Sequence, residues 1–152
     1  MDQAELSLAY NTDDEWTGEL SATVRAGAFS GEGSAWFDRI NVKETFIARL
    51  RSFPLDAADP PTVEGGFWSK GGEGRLDQCH LHISIKPYDS RGTLLVHVEL
   101  MSESWQTPDA DLQNAVTIRF LTEYAAVDLF AGHLDELLDG TRQEALLKGE
   151  MR

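Results

Sequence analysis

The sequence predicts an α+β protein: a twisted antiparallel β-sheet of about six strands with two helices packed on one face. Three observations lead there. Short segments that alternate polar and apolar residues recur along the chain, the period of half-buried strands. Two other segments place apolar residues three to four apart, the stripe of an amphipathic helix. The order is strands, helix, strands, helix, with long hairpin runs, whereas a parallel sheet needs regular strand–helix alternation.

The elements follow in order. Glu5–Tyr10 (ELSLAY) alternates and is a strand, and NTDDEWTG turns the chain. Glu19–Arg25 alternates again, with Leu20, Ala22 and Val24 on one side. Phe29–Phe37 (FSGEGSAWF) is a third strand, and its Gly31 and Gly33 mark a bulge or a close backbone approach. A helix then runs through VKETFIARLRSF. Asn41 precedes it and Glu44 lies three residues on, a capping-box spacing. Its stripe is Val42, Phe46, Leu50 and Phe53, and Pro54 ends it. Val63–Ser69 is a short strand, and the glycines of GGEG (Gly71, Gly72, Gly74) form a hairpin loop. They open no helix and no Gly-Lys-Ser/Thr follows, so a phosphate-binding loop is disfavoured.

The hairpin of Leu76–Ser104 has the clearest register. With Asp89 to Gly92 as its connection, Ile85 pairs with Val96, Ile83 with Val98 and Leu81 with Leu100. A slip by one residue would oppose apolar to polar throughout. Leu112–Leu121 is the next strand. A turn near Pro108 pairs Leu100 with Val116, Val98 with Ile118 and Val96 with Phe120. Thr122 can then cap a helix from Glu123 to about Asp139. Its stripe is Tyr124, Val127, Phe130, Leu134, Leu137 and Leu138, and Gly140 stops it. For the tail TRQEALLKGEMR, a short edge strand and a turn of helix both stay open.

At 152 residues the chain (1–152) is expected to form a single domain, long enough to bury a core without disulfide or metal staples. Its 41% hydrophobic and 26% charged residues are those of an ordinary soluble globular protein. The start MDQAELSL lacks a basic and an apolar signal region, and one cysteine, Cys79, fits a reducing compartment. No apolar run reaches the roughly 18 residues of a membrane span. Cytoplasm is therefore the expected location. Thirteen basic against 26 acidic residues give a net charge of −13. Such a surface repels nucleic acid and anionic lipid, and it steers a basic protein partner inward.

The polar face of the hairpin carries the chemistry worth weighing. His80, His82, Ser84 and Lys86 alternate with the apolar set on one strand, and Leu95, His97, Glu99 and Met101 do so on the other. In the predicted register His82 faces Glu99, while Arg119 faces His97 and lies diagonal to Glu99. Three histidines and a carboxylate are a metal-ligand set. Arg119 argues for an ion-pair and hydrogen-bond cluster instead, because a guanidinium stays charged and repels a cation. The residues name no metal, no cofactor and no catalytic group. Cys79 falls on the apolar face, opposite in parity to His80, so no cysteine–histidine pair forms. Trp36, Trp68 and Trp105 lie in a strand or at strand ends. They either pack at the sheet periphery or anchor a partner, since aromatic residues dominate binding hot spots.

The segments GSAWFD, RSFP, YDSRGTLLVHVEL and VTIRFLTEYAAVDLFAGHLDELL, taken in this order, resemble the WapI-type immunity proteins of bacterial polymorphic toxin systems. The resemblance spans about Phe29 to Gly140. It implies a non-enzymatic protein that binds and neutralises a cognate toxin, and it carries no site residues over. Two alternatives stand beside it. One is a small-ligand- or metal-binding domain using His82, His97, Glu99 and Arg119. The other is a self-associating module, a homodimer through an open sheet face or edge.

Overall fold

The computed structural model describes residues 3–71, 74–105 and 110–152. Its sheet has eight strands rather than about six: β1 Gln3–Thr12, β2 Thr17–Ala26, β3 Phe29–Asp38, β4 Thr62–Trp68, β5 Leu76–Pro87, β6 Thr93–Met101, β7 Ala115–Glu123 and β8 Ala145–Glu150. The order across the sheet is β3-β2-β1-β8-β7-β6-β5-β4. Every pairing is antiparallel. The count rises because each alternating segment pairs and the tail adds one more. That tail is a strand, but a central one between β1 and β7, not an edge. Ala145 and Leu147 are fully buried, so the strand is held by its apolar face as well as by its ladder to β1.

The expected registers of both hairpins hold. Leu81 pairs with Leu100, Ile83 with Val98 and Ile85 with Val96. Leu100 pairs with Val116, Val98 with Ile118 and Val96 with Phe120. The turn proposed near Pro108, and Gly72 in the GGEG loop, lie outside the described residues.

The sheet folds back on itself, and β3 shows how. Its inward residues step across the far strands one after another. A Cβ on Gly31 would stand 2.3 Å from Val116 of β7, and one on Gly33 would stand 3.1 Å from Leu100 of β6. A Cβ on Gly65 of β4 would stand 3.0 Å from Ala35 and 2.7 Å from the Phe37 ring. Residues two apart thus meet different strands, β7, then β6, then β4, because β3 runs across them. Gly31, Gly33 and Ala35 are small because the β3 backbone itself lies on the strands beneath. Of the two readings of these glycines, close approach is the one realised.

A helix of residues 39–50, α1, contains a π-turn at Lys43–Ile47. Asp38, not Asn41, caps it: its Oδ1 accepts the N–H groups of Ile40 and Asn41. The extra residue of the π-turn lets adjacent Phe46 and Ile47 both point inward beside Val42 and Leu50. The helix therefore ends earlier than its apolar spacing implies. Phe53 is 79% exposed, touching the ring of Tyr124 only at its edge. The second helix, α2, spans Tyr124–Leu138. Val127, Phe130, Leu134, Leu137 and Leu138 are buried as expected, and Tyr124 packs at the core's rim. Thr122 does not cap it. The Thr122 hydroxyl instead donates to the Lys148 carbonyl, linking β7 to β8. Gly140 takes a φ of +80°, the left-handed geometry that closes a helix.

Both helices bury their stripes in the one core that the strands line. They are also tied to each other, by Arg39 to Asp139 at 3.1 Å and Lys43 to Asp135 at 3.3 Å. Among the described residues no helix is long and apolar enough to cross a membrane.

Candidate functional site

The outward side of β4–β7 carries the polar cluster. Alternation along these strands turns Leu81, Ile83, Ile85, Val96, Val98 and Leu100 inward, and all are buried. Their neighbours consequently point out. Glu64 pairs in register with His82, His82 with Glu99, and His97 with Arg119. The row thus crosses four strands.

Its contacts differ in two respects from those expected, since neither His82 nor Arg119 takes Glu99 as its partner. His82 Nδ1 lies 3.2 Å from Glu64 Oε2, so its carboxylate partner is Glu64 on β4. Glu99 goes to His97, with Nε2 and Oε2 3.4 Å apart. Arg119 Nε donates to His97 Nδ1 at 3.0 Å. Arginine only donates, so Nδ1 is the unprotonated nitrogen and Nε2 carries the proton toward Glu99. The Nδ1 lone pair of His97 is thus taken by Arg119 and is not free for a cation. The rings of His82 and His97 meet edge to face at 5.9 Å. Among the described residues no group of three or more His, Cys, Asp or Glu side chains could hold a metal ion.

His80 and Cys79 change faces relative to the sequence expectation. Gly65 pairs with Leu81 and Gly66 with Cys79, so His80 is an extra residue on β5, a β-bulge. The bulge flips the alternation. Gln78 and His80 turn inward, at 8% and 2% exposure, and Cys79 turns out beside the cluster. Gly66 makes the bulge feasible, since a Cβ there would lie 2.0 Å from the Gln78 carbonyl oxygen. Partial burial pushes the Cys79 thiol above its ordinary value, and the nearby Glu64 carboxylate adds to it. The adjacent glycines at 65 and 66 were the available signal for this switch.

His80 instead belongs to an inner polar cluster. Gln78 Oε1 receives His80 Nε2 at 2.6 Å and the Ser104 N–H at 2.9 Å. Gln78 Nε2 donates to the Ser104 carbonyl at 3.1 Å. The Phe67 ring stands edge-on to His80 at 4.5 Å. Burial holds the His80 imidazole below its ordinary value, with Glu103 pulling weakly the other way.

The tryptophans complete the site. Trp36 is 52% exposed and Trp68 48% exposed, while Phe37, one residue on from Trp36, packs against the core. Trp36 and Trp68 line a cleft of about 340 Å³ where the two free edges of the sheet, β3 and β4, come together. Asp38, Thr62 and Glu64 line it with them. Trp105 is 75% exposed and stands 4.9 Å from Phe67 of β4. Glu64 therefore belongs to both the histidine row and the cleft. No family model, no curated protein sequence and no solved structure matches the chain.

Proposed function

We propose that this chain is a non-enzymatic binding protein that captures a basic protein, in the manner of an immunity protein neutralising a cognate bacterial toxin. The gathering of three exposed tryptophans about β4, on a chain of net charge −13, carries this reading. Aromatic anchors supply binding energy at interfaces, and opposite charge supplies steering and a fast on-rate. The polar row on β4–β7 supports the same reading, because its histidines, carboxylates and arginine pair with one another and present a polar rim. The partner is a basic toxin domain encoded beside this gene. Co-expression tests it: the chain should restore growth of cells producing that toxin. If cells die at the same rate with and without it, the reading fails.

A further inference from the structure

We infer that the Trp36–Trp68 cleft receives an arginine side chain of the partner, its guanidinium held between indole faces and carboxylates. This rests on the binding role proposed above and names the chemistry at its centre.

The lining explains the choice. Trp36 and Trp68 both line the cleft, and the indole is the best aromatic partner for a cation. Asp38 and Glu64 offer negative charge at the same cleft, and no lysine or arginine of the described residues lines it. Each carboxylate already spends one oxygen. Asp38 Oδ1 caps α1, and Glu64 Oε2 meets His82. Asp38 Oδ2 and Glu64 Oε1 take no hydrogen bond among the described residues. A planar guanidinium can stack on an indole and fork toward a carboxylate together, which an ammonium cannot do equally well. About 340 Å³ accommodates one long side chain, at the low end of ligand pockets. The cleft also lies between two strand edges, so a partner segment has backbone beside it.

The test uses the full chain and a blocked tetra-arginine peptide, followed through the indole N–H resonances of its four tryptophans. The expected result is saturable movement of the Trp36 and Trp68 signals, with Trp16 and Trp105 unmoved. A tetra-citrulline peptide, of the same shape without charge, should move none. Trp36→Ala should weaken arginine binding roughly twofold to thirtyfold. Glu64→Gln should also weaken it without altering the melting temperature, which keeps the test open should Trp68→Ala fail to fold. No movement, equal movement of all four signals, or equal binding of the citrulline peptide overturns the inference. So would movement driven by protein concentration alone, which would mean a second copy fills the cleft. The two proposals fail separately. Protection from the toxin that survives loss of Trp36 and Trp68 would remove the cleft's role alone. Arginine binding without protection would remove the immunity reading alone.

Discussion

His80 shows how much one side chain depends on its setting. Alternation places it outside with His82, yet the bulge turns it into the core, where its Nε2 meets Gln78 Oε1 and the Phe67 ring stands against it. Its folded pKa lies below 6.5, the ordinary histidine value, because burial penalises the charged ring. The sign follows from proton counts. Below about pH 6.5 the unfolded chain binds a proton that the native ring resists, so stability falls as pH drops through that value. His80→Gln should flatten that part of the profile. Melting curves from pH 7.5 to 5 on both chains would show it, and identical slopes would mean the ring titrates normally. His82 was legible as a surface residue, because its parity survives. Its partner Glu64 was not, since that contact belongs to a strand pair whose register depends on the same bulge.

At the level of elements, the contact of β3 with the strands beneath it is the most exacting. Gly31→Ala would drive a methyl into Val116, 2.3 Å away. Overpacking of this kind costs about 1–3 kcal/mol. In a chain of this size that is roughly 2–4 °C of melting temperature for each kcal/mol. Val116→Ala in the same chain should recover part of the loss, because it removes the atoms that clash. A strictly additive double mutant would show that Gly31 is needed for another reason. The registers of the two hairpins of β5–β7 were readable, since a slip by one residue would have exposed their apolar face and the turn at Asp89–Gly92 fixes the first of them. The start of α1 was not. Asn41 had the right chemistry for a cap, but Asp38 ends β3 with its carboxylate already at the first free N–H groups.

For the whole molecule, the eighth strand is decisive. β8 carries the final residues of the fold into the centre of the sheet, between β1 and β7. A chain ending at Gln143 would leave β1 paired to β2 alone, cut the sheet between β1 and β7, and remove Ala145 and Leu147 from the core. It should lose cooperative unfolding altogether, as seen by circular dichroism during heating. A truncated chain that still melted sharply would mean that β8 is an accessory. By itself, the sequence determined the α+β class, the inward set of β5–β7, the buried stripe of α2 and the acid charge, because each follows from local periodicity or composition. Only the tertiary structure decided the place of β8, the lay of β3 across the strands beneath it, the reversal at His80 and the cleft that Trp36 and Trp68 share. Those depend on contacts between residues far apart in the chain, and such contacts leave no period to read.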